Sequence, residues 1–195
     1  GPVSWLGWAF RFFQLPLGLF GVAVANATLP TISRSLAAND HVEFRRTLSR
    51  SLAVVFLLTL PSSAGLMILG SDMIAAVYQG GKFDAYDTRQ TALALSCYAI
   101  GLAGYAAAKV LTPAFYALRD SRTPMITSLV SIAVNFVVAW LTVEHTSLGH
   151  AGLALSTSAV ATCSCLVLFA RLRRQAGGVY GRDLASSTAR ILLAT

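Results

Sequence analysis

The sequence predicts an all-α protein, a polytopic membrane helix bundle of about five complete transmembrane helices plus the start of a sixth. Three observations predict it. Of the 195 residues, 55% are hydrophobic and 12% charged, about half the charged share of a soluble domain. The apolar residues gather in runs of roughly 20, the length a helix needs to cross a bilayer core. Every acidic residue (Asp40, Glu43, Asp72, Asp84, Asp87, Asp120, Glu144 and Asp183) falls in a polar gap between those runs.

The first span is expected over Trp5–Leu29, with Pro16 inside and Pro30 at its end. A polar stretch, Ser33–Arg50, follows and carries Arg34, Arg45, Arg46 and Arg50. The second span is expected over Leu52–Leu69, interrupted by Pro61. Gly70–Arg89 reads as a loop in which Met73–Tyr78 forms a short interfacial helix and Asp87 or Thr88 caps the next helix. The third span covers Thr91–Tyr116 and closes in a basic turn, Leu118–Thr123. The fourth covers Pro124–Val143, its proline suited to a first helical turn. After a loop at Glu144–His150, the fifth covers Ala151–Leu172. A sixth starts near Leu184, beyond the basic segment Arg171–Arg182. Residues 1–172 therefore read as one transmembrane bundle, and residues 173–195 as a cytoplasmic linker with the start of the next span. A chain that opens without Met in one apolar stretch and stops inside another reads as an excerpt of a longer protein.

Charge sets the orientation. Alternate loops hold Arg34/Arg45/Arg46/Arg50, Arg119/Arg122 and Arg171/Arg173/Arg174/Arg182, while Lys82 and Arg89 on the other side are outnumbered by acids. Basic loops stay in the cytoplasm. The formal charge of +7 thus belongs to membrane topology and not to nucleic-acid binding. Cys97, Cys163 and Cys165 lie in apolar runs and read as packing residues. His41, His145 and His150 sit in loops without metal-ligand spacing. No nucleophile–base pairing and no phosphate-cradling glycine loop occurs. The expectation is a transporter and not an enzyme, with no cofactor and no metal.

Two lone cations inside apolar runs carry the chemistry. A charge in hydrocarbon is costly and generally faces a water-filled cavity or an anionic partner, and the chain offers no acid at the depth of Arg11 or Lys109. Arg11 shares a helical face with Gln14, Leu15 and Gly18, and the choice lies between a cavity-facing guanidinium and one that snorkels to the nearer interface. Lys109 sits in a stripe of Tyr98, Gly101, Tyr105, Lys109, Thr112 and Tyr116, read as cavity lining, against tyrosines packed between helices. On the fourth span Ser128 and Ser131 read as interhelical glue, while Asn135 stands between packing and solute contact. The hydroxyl residues of the fifth span, Ser158 among them, read mostly as glue. Pro16, Pro61 and Pro113 allow broken helices of the kind transporters use.

Several segments together resemble the lipid II flippase (MurJ/MviN) family of the multidrug/oligosaccharidyl-lipid/polysaccharide exporter superfamily. They are Trp8–Ala23 (WAFRFFQLPLGLFGVA), Leu29-Pro30 with Ser33-Arg34, Gln79–Phe83 (QGGKF), Phe115–Pro124 (FYALRDSRTP) and Gly152–Ser156 (GLALS), in the family's order. The resemblance implies fourteen transmembrane helices in two six-helix lobes around a central cavity, plus two helices forming a lipid-tail groove. This chain would be the eighth to twelfth helices and the start of the thirteenth, most of the second lobe, in a bacterial cytoplasmic membrane. The implied activity is translocation of lipid II, an undecaprenyl-pyrophosphate-linked muropeptide, by alternating access in peptidoglycan and cell-wall biosynthesis. Membrane lipids and the cell-wall synthesis machinery are the other implied partners. The pyrophosphate would then be the missing anion, met by Arg11 and Lys109 with Gln14, Tyr105, Tyr116 and Asn135 around it. Arg11 matches a cavity arginine of the family and Lys109 a basic residue of its tenth helix. Where many members place acids beside that arginine, this chain has Phe10 and Gln14. A sodium site described for some members uses the position of Asn135 with an acid one turn on, and here that position is Ala139.

Overall fold

The computed structural model describes residues 2–78, 80, 83–145 and 150–175. Helix α1 (Pro2–Pro16) continues through a π-helical segment (Leu17–Val22) into α2 (Ala23–Ala37). Then come α3 (His41–Tyr78), α4 (Ala85–Ile100), α5 (Leu102–Ala117), α6 (Arg122–His145) and α7 (His150–Gln175). Four helical stretches are long and apolar enough to cross a membrane, or five when α4 and α5, bent by 45°, count as one span. The all-helical bundle expected from composition is what forms.

The helices outrun the apolar spans at most ends. The first helix does not stop at Pro30 but runs to Ala37, because the exposed Pro30 forgoes one backbone hydrogen bond without ending the helix. Most of the polar stretch Ser33–Arg50 is likewise helical. Gly70–Tyr78 is the last part of the 38-residue α3, not a loop with a separate interfacial helix. Two contacts hold it there: Gly70 lies against Leu95, and Ile74 is fully buried. The cap of α4 is Asp84, not Asp87 or Thr88. Asp84 accepts from the Asp87 N–H at 2.9 Å, and the Asp87 carboxylate reaches back to the Asp84 N–H at 3.4 Å, a reciprocal capping box. The third span is broken at Gly101 instead of continuous. The expected sixth span and the linker beyond Gln175 lie outside the described residues.

Two turns end in the same way. Asn39 (φ 55°) and Arg119 (φ 60°) take the left-handed conformation. The following Asp N–H bonds five residues back, Asp40 to Ser35 O at 2.8 Å and Asp120 to Phe115 O at 2.9 Å, a Schellman closure. Each Asp then starts the next helix, accepting from Glu43 N at 2.9 Å and from Thr123 N at 3.0 Å. Both turns belong to the basic end of the bundle, where Gln175 of α7 also donates to Asp120 at 2.7 Å. At the opposite end the Trp5 indole donates to Asp87 at 2.6 Å, and the Trp8 and Phe12 rings pack on Tyr78.

Helix α3 packs on α2, α4 and α5, and α7 packs on α4, α5 and α6. Lipid is as apolar as leucine, so close approach matters more here than removal of surface from water. The small residues show where backbones meet. A Cβ on Gly101 would lie 2.6 Å from Ser158 Cα, one on Gly104 2.9 Å from Thr162 Cα, and one on Gly21 3.1 Å from Ala106 Cα. Phe13, Phe44, Leu52, Leu102, Leu111 and Phe115 fill the space between these crossings, each almost fully buried.

Candidate functional site

The face bearing Arg11 is open. Arg11, Gln14, Leu15 and Gly18 are all exposed, and a Cβ on Gly18 would meet nothing within 4 Å. The opposite face of the same helix is core, with Ala9 and Phe13 fully buried. Helical periodicity therefore separates a packed stripe from an unpacked one that carries the cation. The Arg11 guanidinium lies over the Trp8 ring, 4.6 Å from its centroid, a cation–π contact one turn toward the N-terminus. The side chain thus leans along its own helix in the direction helical side chains favour.

The stripe expected on the third span divides at Gly101. Tyr98 is buried between Phe10 and Phe13, with ring centroids 5.6 and 5.7 Å away, and Gly101 is pressed against α7. These two are core. Beyond the break the stripe is open: Tyr105 and Thr112 are half-buried, while Lys109 and Tyr116 are exposed. Tyr105 meets Phe13 edge-on at 5.4 Å, so the aromatic cluster touches the open part through one ring. The bend re-aims the second half of the span, so the stripe is not one surface.

Between α5 and α6, over α7, runs a cleft in two parts. One part of about 440 Å³ is lined by Tyr105, Ser131, Ile132, Asn135, Ala139 and Val160 among others. The other, about 250 Å³, adds Ala108, Thr112, Thr127 and Ser128. The structure brings Tyr105 and Asn135 to one place, and Ala139 stands beside Asn135 there. Arg11, Gln14, Lys109 and Tyr116 line neither part. Ser131 serves as interhelical glue, its hydroxyl 2.6 Å from that of Ser164, while Ser128 lies on the cleft wall. Among the described residues no group of three or more His, Cys, Asp or Glu is placed to hold a metal.

Two features of the site differ in how far spacing could reveal them. The Arg11–Trp8 contact follows an i−3 relation that was in the sequence to be read. The place of Phe10 at the edge of the aromatic core depends on Tyr98, 88 residues along the chain, and no local signal reveals it.

The family model for lipid II flippase MurJ matches residues 1–195. The chain belongs to the lipid II flippase MurJ family. Lipid II flippase MurJ of Burkholderia cenocepacia is 36% identical over 180 residues, covering 92% of this chain and 34% of that protein. The probable lipid II flippase MurJ of Rhizobium tropici is 33% identical over 195 residues, 100% of this chain and 36% of its own length. A solved structure of lipid II flippase MurJ in an inward closed conformation superposes with a TM-score of 0.84 at 28% identity, covering 99% of this chain and 40% of that one. The chain thus spans about a third of the curated MurJ relatives it matches. Membership in the MurJ family and the apolar helices make this a multi-pass membrane protein. Phe10 is half-buried at the edge of the core, its ring stacked on Phe13 at 5.7 Å.

Proposed function

We propose that this chain is the second-lobe part of a lipid II flippase of the bacterial cytoplasmic membrane, and that it carries cationic groups for the pyrophosphate of its substrate. The observation that carries this reading is the pairing of a whole-chain family match with exposed cations on apolar helices that hold no acid at their depth. Arg11 and Lys109 attract the anion, and an ion pair in a low-dielectric cavity is worth several times its value in water. Tyr105 and Asn135, sharing one cleft, offer a hydroxyl and an amide as neutral hydrogen-bonding partners. The basic ends of the helices lie in the cytoplasm, which sets the direction of headgroup uptake. Rocking of this lobe against the rest of the protein then exposes the headgroup on the far side. The lipid-linked precursor, membrane lipids and the cell-wall synthesis machinery are its partners in this reading.

The test is growth and lipid II export in a flippase-depleted bacterium carrying the full-length gene. Arg11→Ala and Lys109→Ala, present in the membrane at wild-type level, are expected to fail, and Arg11→Lys to rescue only in part because the planar guanidinium fork is lost. Normal growth and export with both alanine variants would falsify the cationic site.

A further inference from the structure

The break between α4 and α5 is closed by hydroxyls from two other helices. In an unbroken helix the Gly101 N–H donates to the Cys97 carbonyl. Here it donates to Tyr98 O at 3.0 Å, leaving Cys97 O without its intrahelical donor. Ser158 of α7 takes that place, its hydroxyl 2.7 Å from Cys97 O and 3.2 Å from Tyr98 O. Ser63 of α3 donates to Ala99 O at 2.6 Å. Both serines are buried, at 1% and 8% exposure, where an unpaired carbonyl has no water to turn to.

A second irregularity packs against the same helix. The π-helical segment Leu17–Val22 lies on α5, with Gly21 at Ala106, and π turns recur where a helix serves function. On one side of these two irregularities α1 and α4 pack together, with α4 lying also on α3 and α7, and the Trp5–Asp87 hydrogen bond and the rings of Phe10, Phe13 and Tyr98 join the pair. On the other side α2 packs on α5.

We propose that α1 and α4 move as one flap about Gly101 and the π-helical segment, and that the hydroxyls of Ser158 and Ser63 are the latch that selects the bent state. At the break the two states differ in which groups donate to the freed carbonyls, and along its length α4 also changes how it lies on α3 and α7. In the bent state Cys97 O accepts from Ser158, and in the straight state it accepts from Gly101 N–H. Only the bent state uses the serines, so their hydroxyls bias the equilibrium by that difference. The flap carries Arg11 and Gln14, while Tyr105, Lys109 and Asn135 stay with α5 and α6. Bending therefore changes the separation between the two groups of candidate side chains. The proposal rests on the transport reading only for the use of this motion.

The test uses the full-length protein in lipid nanodiscs, with nitroxide labels at Arg89→Cys and Leu153→Cys. The background replaces the other cysteines, Cys97, Cys163 and Cys165 among them, by Ala. The arm from Arg89 to Gly101 is about 18 Å long, so a swing through the bend angle moves its tip by roughly 13 Å. Two distance populations are expected in the wild type. Ser158→Ala is expected to move the balance toward the straight one by about tenfold, and Ser63→Ala with Ser158→Ala further still. Thr157→Ala, whose hydroxyl bonds the Leu153 carbonyl of its own helix at 2.8 Å, leaves the distribution as in the wild type. A single narrow population in the wild type, with and without added lipid II, overturns the proposal, as do identical distributions in the wild type and both serine variants. The label distance reports the bend whether or not lipid II crosses the membrane, so failure of the hinge and failure of the transport reading are separate results.

Discussion

Ser131 on α6 and Ser164 on α7 lie with their hydroxyl oxygens 2.6 Å apart, and each also reaches a carbonyl of its own helix, Thr127 O at 2.6 Å and Val160 O at 2.7 Å. A hydroxyl has one proton, so one serine donates across the interface while the other donates back along its helix. The outer side of α6 has little else to hold: Ile126, Leu129, Ile132, Phe136 and Trp140 are all more than half exposed. A double-mutant cycle of Ser131→Ala and Ser164→Ala, read by thermal melting of the full-length protein in detergent, is expected to give a coupling of about 0.6 kcal/mol. A coupling indistinguishable from zero removes the pair as a tie between these helices.

The glycines rank by what a methyl group would strike. Gly101→Ala places Cβ 2.6 Å from Ser158 Cα, a backbone atom that cannot turn aside, and Gly104→Ala places it 2.9 Å from Thr162 Cα. Overpacking of this kind costs about 1–3 kcal/mol, with Gly101→Ala at the upper end. Gly65, with nothing within 4 Å, gains about 0.5–1 kcal/mol on substitution by Ala through helix propensity. Melting temperatures of the three variants check the order, which fails if Gly65→Ala melts below Gly101→Ala.

Asn39 and Arg119 occupy left-handed positions where an L side chain crowds its own carbonyl, at about 1–2 kcal/mol for an ordinary residue. Arg119→Gly is expected to raise the melting midpoint, and Asn39→Gly to raise it less because asparagine tolerates this conformation. Equal effects at both positions, or a loss at Arg119, argue against strain as the cause.

The turn at Asp120 titrates. Hydrogen bonds from the Gln175 amide, the Thr123 hydroxyl and the Thr123 N–H favour the ionised carboxylate and lower its pKa to about 2. Unfolded, an aspartate titrates near about 3.9. The folded value is depressed, so the stabilising contribution is present above the unfolded pKa and is lost as pH falls through the folded one. The wild-type melting temperature is expected to drop between about pH 4 and pH 2 more than that of Asp120→Asn. Parallel curves for the two proteins over that window rule out the linkage.

Much of this was legible in the sequence. Hydropathy located the spans because hydrocarbon-facing residues must be apolar, but it marks the buried part of a helix and not its ends. That is why α3 runs past Leu69 to Tyr78 and α2 past Pro30 to Ala37. The break at Gly101 was hidden inside an apolar run, since the hydroxyl that pairs the freed carbonyl comes from Ser158, distant in sequence. Helical spacing grouped Tyr105 and Thr112, which share one part of the cleft, but it also took in Lys109, which lines neither part, and Tyr98, which is buried in the core. The meeting of Tyr105 with Asn135 depends on how α5 and α6 lie over α7, and no single-helix pattern contains that.

The two Asp-closed turns bear on how the protein is made. Each satisfies its backbone with its own carbonyls, and each Asp caps the helix that follows, so the hairpins α2–α3 and α5–α6 are complete at their basic ends from local sequence alone. A nascent chain leaving the ribosome can form each turn as soon as the following helix emerges, and α2 and α3 then pack directly, whereas α5 and α6 are held together mainly through α7. The two turns are therefore set by nearby residues, whereas the ties from Gln175 to Asp120 and from Ser158 to Cys97 wait for α7.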